Sequence, residues 1–333
     1  MFKYSKYKIP ISNFENSKTN YNYQEVLIIK STNPKFLIEI SPLKGFNSEN
    51  INQIEDILIS KTISKQISKY PSLEYALSNH RNKVKKKISV KTSILISNNE
   101  EIIKKMKDFS NLGFKSFKIK VSKDDYIKKI ELLKSSNINS NIRIDFNNEF
   151  SIEESLNILK NIKYKFEFIE GITNQEIIQN YRLLKNSIHN LCVDINSKNL
   201  IYIDKIIKEK LISHVAIKPK ILGNEKNTLI LAKECKKNNI KSYISSTFET
   251  KLGFNKSIFL AKYLNDLYEE EIIHGFGTYN FLEKSLLRGI SLKKGYIESE
   301  FNEIDIEDLH KYQTQNWNDI VNLEIIEKLK NGN

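Results

Sequence analysis

The sequence predicts an α/β protein, a βα barrel that follows a smaller α+β domain. Three observations lead there. Lys120, Asp145, Glu170, Asp194 and Lys218 each end a short apolar run (FKIK, NIRID, FEFIE, NLCVD, HVAIK) and stand 25, 25, 24 and 24 residues apart. One strand, one helix and two short loops fill such a period. Residues up to about 90 do not keep it; they give strand-like runs and then helical patterns, which suggests a separate α+β unit. The length, 333 residues, suffices for a full barrel and a second, smaller core.

The elements follow in order. In the first domain, 1–90, YQEVLIIK and KFLIEI read as strands. One helix is expected over about 49–68. Another starts at Pro71-Ser72 and carries Leu73, Ala76 and Leu77. The barrel, 91–289, is expected to use eight strands: 91–97, 114–121, 141–146, 166–170, 191–194, 214–218, 241–246 and 271–276. Helices over about 99–112, 123–136, 174–187, 197–210, 224–238 and 253–268 lie between them. One more opens at Ser151 with Glu154 three residues on, a capping-box pattern. The tail, 290–333, offers a hairpin-like stretch and an amphipathic run over 318–330, and is expected to pack back on the first domain. Glycine is scarce, at 10. Asparagine tolerates left-handed backbone, so Asn98-Asn99 and Asn147-Asn148 are candidates to replace glycine in turns.

Composition narrows the function. Hydrophobic residues make up 40% and charged residues 28%, ordinary for a globular protein. No apolar stretch approaches the roughly 20 residues of a membrane helix. The start, MFKYSKYKIPI, lacks the apolar segment of a secretion signal, so a cytoplasmic protein is expected, without membrane insertion. Cys192 and Cys235 are too few for a disulfide framework. The net charge of +13 is spread along the chain with no dense basic block interleaved with aromatics, so no nucleic-acid partner is expected. A basic field does suit an anionic substrate.

Parallel strands of a barrel aim their C-terminal ends at one mouth, so the five periodic charges should converge. Asp145, Glu170 and Asp194 offer three hard oxygen donors, which suits Mg²⁺ or Mn²⁺. The histidines (His80, His189, His214, His274, His310) lack ligand spacing. Helix capping or loop charge would explain any one carboxylate, but not three in register between two lysines. Lys118 and Lys120 share a strand face. Two neighbouring ammonium groups beside a metal are expected to lower each other's pKa towards the range of a general base. Lys218 stands across the mouth. The chemistry this supports is proton abstraction α to a carboxylate, with a divalent cation stabilising the enediolate.

Here the sequence resembles the enolase superfamily, in particular its muconate-lactonising-enzyme-like branch and the o-succinylbenzoate synthases within it. IEISPLKGFNSEN at 38–50 is similar to the capping-domain segment GEAAPLPGF-SxE, and PSLEYALS at 71–78 to PS-x-x-x-A-L. KIK at 118–120, D-x-N at 145–147, Glu170, Asp194 and IKP at 217–219 match the catalytic series in order and spacing. SSTFET at 245–250 resembles the SS-x-E-S loop, and HGFGT at 274–278 the GLGT or GLDT motif. Two departures are Ile195, where the family usually has Glu, and Gly171-Ile172, where it usually has Gln-Pro or Glu-Pro. The family's N-terminal specificity loop has no residue-by-residue match, although 13–21 falls in its place.

The resemblance implies a (β/α)7β TIM-like barrel with an N-terminal α+β capping domain completed by the C-terminal tail. It implies Asp145, Glu170 and Asp194 as Mg²⁺ ligands, Lys120 as acid and base, and Lys118 as its electrostatic partner. Lys218 would stabilise the enediolate and a ring. Asn147 would support the site from behind; Ser245, Ser246 and Gly275 would bind substrate, the serines at a succinyl carboxylate. The implied activity is dehydration of 2-succinyl-6-hydroxy-2,4-cyclohexadiene-1-carboxylate to o-succinylbenzoate on the menaquinone or phylloquinone route. N-succinylamino acid racemases, dipeptide epimerases and muconate cycloisomerases share the site. Epimerases of the branch tend to carry Asp-x-Asp after the eighth strand, and the stretch from His274 to Thr278 has no acid. A degenerate basic binding barrel is the non-enzyme alternative, and it has no use for the intact charged series. Monomer and homo-oligomer both stay open.

Overall fold

The computed structural model describes residues 1–12, 22–33, 35–61, 67–78, 87–97, 101–136, 138–300 and 306–331. The turn expected at Asn98-Asn99, His80 and the 13–21 segment lie outside these.

The first domain begins with an antiparallel meander, β1 (Phe2–Pro10), β2 (Tyr23–Thr32) and β3 (Lys35–Ile40). Two helices cover one face. In α1 (Ile51–Ile59), Asn50 and Gln53 form a reciprocal capping box and Ile51, Ile54 and Leu58 turn inwards. In α2 (Pro71–Leu77), proline at the first turn costs no hydrogen bond. Both pack on Phe2, Tyr4, Leu27, Ile29, Ile38 and Ile40. The helix expected over 49–68 stops at Ile59, because Ser60 takes extended backbone; 62–66 lie outside the described residues.

The second unit alternates strands and helices: β4 (Ile88–Lys91), β5 (Ile94–Ile96), α3 (Ile102–Asn111), β6 (Ser116–Lys120), α4 (Tyr126–Ser135), β7 (Asn141–Asp145), α5 (Ile152–Asn161), β8 (Phe168–Glu170), α6 (Ile178–Leu184), β9 (Leu191–Asp194), α7 (Ile203–Lys208), β10 (His214–Ile217), α8 (Pro219–Leu222), α9 (Glu225–Lys237), β11 (Lys241–Ile244) and α10 (Lys251–Tyr268). Strands β5 to β11 form one parallel, curled sheet in sequence order. Buried isoleucine, phenylalanine and leucine from strands and helices merge into one large core.

Two expectations for this sheet need correction. The strand expected over 91–97 is two strands. Only Ile94–Ile96 joins the parallel sheet, and Ile88–Lys91 pairs elsewhere, because the backbone turns over at Thr92-Ser93 towards His274. The strand expected over 271–276 is reduced to isolated parallel bridges, Thr92 with His274 and Ser245 with Gly275. His274 N–H donates to Lys91 O (2.9 Å) and Gly275 N–H to Ile244 O (2.8 Å), so the segment bonds to both edges of the sheet. It stays short because the chain passes tightly: a Cβ on Gly277 would lie 2.5 Å from Leu95.

The tail has two destinations. β12 (Ile290–Lys293) and β13 (Tyr296–Ser299) form a hairpin whose turn residues, Lys294 and Gly295, both have positive φ (51° and 85°). It pairs with β4. β14 (Asn318–Asp319) adds to the free edge of β1. α11 (Leu323–Asn331) then buries Ile325 and Leu329 against Phe2 and Tyr4 of the first domain. Among the described residues no helix is long and apolar enough to cross a membrane.

Candidate active site

The sheet register brings the periodic charges together. Lys120 and Asp145 are Cα partners on β6 and β7, and Asp145 and Glu170 on β7 and β8. Asp194 closes β9, and Lys218 lies one residue beyond β10. Lys118 Nζ lies 2.5 Å from Glu170 Oε1 and 3.2 Å from Asp145 Oδ2. Lys120 Nζ lies 3.0 Å from the same Asp145 oxygen and donates to Asn147 Oδ1 at 2.7 Å. Lys218 Nζ contacts Asp194 Oδ1. Lys118 and Lys120 thus stand on one arc of the mouth and Lys218 on the other.

Asn147 is the hinge of its loop. Its φ of 54°, followed by 57° at Asn148, is the left-handed backbone expected of this pair. That turn lets the Asn147 N–H donate to Asp145 Oδ1 (3.0 Å), while its side-chain amide donates to Val121 O (3.0 Å). Asn148 N–H donates to the carbonyl of Gly171, and Gly171 itself has φ 61°. The departure Gly171-Ile172 thus lies directly against the Asn147 loop.

The electrostatics differ from one expectation. Burial works against the Lys118 ammonium, but Asp145 and Glu170 outweigh it and hold its pKa above the usual lysine value. Burial alone would raise Asp145, but Lys118 and Lys120 hold its carboxyl well below the usual range. Burial pushes Lys218 down to about 7; Glu170 opposes the fall and Lys118 adds to it. Its contact with Asp194 also favours the charged form.

Three carboxylates from adjacent strand ends are the hard-oxygen donor set that a divalent cation takes, so the donor chemistry fits Mg²⁺. Among the described residues, however, no group of three or more His, Cys, Asp or Glu side chains stands in metal-holding geometry. Each of the three carboxylates is turned onto a lysine.

The mouth opens into a pocket with about 650 Å³ of empty space, part of it continuous with solvent. Lys118, Lys120, Asp145, Asp194 and Lys218 line it together with Ser245, Ser246 and Gly275; Glu170 is buried. Ser246 Oγ is already bonded to Gly275 O (3.0 Å) and Thr278 Oγ1 (2.5 Å). The first domain supplies the roof through Leu43 and Phe46, with Lys218 Nζ 4.5 Å from the Phe46 ring centroid. The roof is tied down by Lys220, whose Nζ donates to Ser41 O (2.6 Å) and Thr247 O (3.3 Å). Glu39 ties it at a second point, accepting from Thr250 N–H (3.0 Å) at the start of α10.

Tyr243, Phe46, Leu95 and Phe248 also line the pocket, and sequence reasoning passed over them. Alternation offered a signal for Tyr243: it is two residues before Ser245, so a strand puts both on one face. Phe46 lies inside the GF of the 38–50 segment. Lys220 gave no signal, since its burial depends on the first domain.

The sequence model of the family described as enolase C-terminal domain-like matches residues 101–299. No curated protein sequence matches the chain. Among solved structures it is similar to an enolase-superfamily member from Listeria innocua (TM-score 0.77, 16% identity, covering 95% of this chain and 97% of that one). It is also similar to an N-succinyl Arg/Lys racemase from Bacillus cereus (0.76, 15%, 95% and 98%). A third is an o-succinylbenzoate synthase from Thermosynechococcus elongatus, solved with Mg in its active site (0.68, 12%, 85% and 94%). At these identities the likeness is one of fold.

Proposed function

The chain belongs to the enolase superfamily, and from that premise we propose that it is a magnesium-dependent lyase dehydrating 2-succinyl-6-hydroxy-2,4-cyclohexadiene-1-carboxylate to o-succinylbenzoate. The observation that carries this reading is the arrangement of charges: Lys118 and Lys120 on one arc, Lys218 on the other, and three carboxylates around one roofed pocket. On the same reading, residues 1–90 and the tail cap a (β/α)7β barrel, with the bridges at His274 and Gly275 closing it in place of a full eighth strand.

Asp145, Glu170 and Asp194 would hold the metal, which when bound supplies positive charge against a substrate carboxylate and so makes its α-proton acidic. Lys120, bonded to Asn147, is placed to take that proton and return it to the departing hydroxide on the same face, so that water leaves and the ring becomes aromatic. Lys118 pairs with both Asp145 and Glu170 and helps keep Asp145 ionised. Lys218 faces the developing enediolate from the other arc, and its charge stabilises both that and the ring. Leu43 and Phe46 exclude water. Ser245, Ser246 and Gly275 would receive the succinyl end.

The test is to incubate the protein and Mg²⁺ with the cyclohexadiene substrate and follow aromatisation by ultraviolet absorbance; no aromatisation by metal-loaded protein would sink the assignment. One observation favours a second reading: lysines on both arcs suit a two-base racemisation of N-succinylamino acids. Proton exchange from such a substrate in D₂O, without dehydration of the diene, would select it.

A further inference from the structure

Glu170 is the most enclosed of the three carboxylates, with its side chain 1% exposed. The residues that follow Glu170 and Asp194 are Gly171 and Ile195, and neither brings a polar side chain to them. Glu170 Oε1 is taken by Lys118. Its other oxygen, Oε2, accepts a hydrogen bond of 3.0 Å from the hydroxyl of Tyr243. Tyr243 sits on β11, three strands away, so its side chain spans the barrel interior to make this bond.

The ring that makes the reach is fixed on several sides. It stacks on Phe168 at 5.6 Å between centroids and 24° between planes. The Arg143 guanidinium lies 4.8 Å from the Tyr243 centroid and 5.0 Å from that of Phe168. Arg143 is itself held by both oxygens of Glu167 (2.9 and 3.0 Å) and by Ile273 O (2.8 Å). On the remaining edge, a Cβ on Gly275 would approach Tyr243 Cε2 to 3.1 Å, so the glycine leaves room for the ring.

We propose that Tyr243 is a positioning residue for Glu170: its hydroxyl fixes one carboxylate oxygen, so that the other faces Lys118 and the metal side. A neutral donor suits this task, since it orients the carboxylate without cancelling the charge a cation needs. A second cation at Oε2 would compete with the metal. The proposal rests on the metal reading above.

The test is Mg²⁺ affinity by calorimetry and Mn²⁺ affinity by electron paramagnetic resonance, for the parent, Tyr243→Phe and Tyr268→Phe. The last removes a part-buried hydroxyl bonded to Ser242, Ala232 and Ile240, outside the carboxylate cluster. The expected result is metal affinity roughly 10- to 100-fold weaker in Tyr243→Phe, the range for lost outer contacts, and unchanged in Tyr268→Phe. Equal affinity in parent and Tyr243→Phe would overturn the proposal while leaving the metal reading intact. No binding by the parent would overturn the metal reading, and the proposal with it. Should Tyr243→Phe not fold, 3-fluorotyrosine placed at 243 keeps ring and hydroxyl. Its ¹⁹F resonance should move as Mg²⁺ saturates the protein, and an unmoved resonance would overturn the proposal.

Discussion

The most consequential pairing at the scale of single residues is Lys120 with Asn147 and Asp145, because on the proposed function it fixes where a proton would be taken. Lys120→Ala should lower kcat by several orders of magnitude while KM changes little, since a lost proton carrier acts on the transition state. Lys218→Ala should also be severe, at about 3 kcal/mol of lost charge stabilisation. Lys218→Arg keeps the charge but cannot act as a base at neutral pH. Dehydration retained by it would place Lys218 in an electrostatic role, whereas abolished exchange at one substrate face with dehydration intact would expose a second base. Asp194→Ala should weaken Mg²⁺ binding measured by calorimetry and leave the thermal midpoint of the metal-free protein near that of the parent. Full dehydration in excess chelator would contradict a metal-dependent reaction. The charged residues of this cluster were legible in the sequence because strand alternation and a constant period fix the face and the end at which a residue sits. Alternation put Tyr243 on the face of Ser245, but its bond to Glu170 was not legible, because that carboxylate stands three strands away and no local pattern encodes the reach.

At the scale of elements, two loop positions on adjacent βα units separate stability from function. Ser151 Oγ caps α5 by accepting from Glu154 N–H (3.2 Å), and the Glu154 carboxylate in turn accepts from Ser151 N–H (2.7 Å). Ser151→Ala should cost about 1 kcal/mol of stability and leave the dehydration rate alone. Gly171 follows β8 at φ 61°, and a Cβ there would lie 2.6 Å from Asn148 Oδ1. Gly171→Ala should cost at least about 1 kcal/mol through left-handed strain. It should also lower kcat, because the clash pushes on the loop that carries Asn147. Unfolding curves with steady-state rates on both variants check the contrast, and an unaffected rate in Gly171→Ala would refute the loop coupling. The Ser151 cap was readable because both partners lie within one turn. The division of 91–97 and the shortening of 271–276 were not. Periodicity reports apolar faces, but the change of sheet at Thr92-Ser93 follows from hydrogen bonds to His274, about 180 residues away in sequence.

For the whole molecule, two histidines inside the barrel unit contribute to the response to mild acid. Burial pushes His274 down to about 3 and His214 down to about 4, from a usual 6.5. Their folded pKa values lie below the unfolded one, so between about 6.5 and 4 the unfolded chain binds more protons. Stability contributed by the neutral rings is therefore present above 6.5 and is lost as pH falls towards 3. At about 1.4 kcal/mol per unit the two shifts together amount to several kcal/mol. His274 has a structural reason to resist protonation: its Nδ1 accepts from Ile244 N–H (3.1 Å), a bond that a charged ring forfeits. Urea midpoints should fall from pH 7 to pH 5. A flat profile, or one that falls equally in His274→Asn, would remove His274 from this account.

β1 pairs with a strand that lies far along the chain from it, Lys3 opposite Asp319. β1 receives β14 on its free edge, and Phe2 and Tyr4 share a cluster with Ile325 and Leu329. At roughly 5–20 residues per second, on the order of 15–60 seconds separate the emergence of these partners. During that interval the edge of β1 and its apolar side chains have no cover from the tail. The first domain therefore waits for the barrel, and a nascent chain is most exposed to strand pairing with its neighbours just before synthesis reaches 318–329.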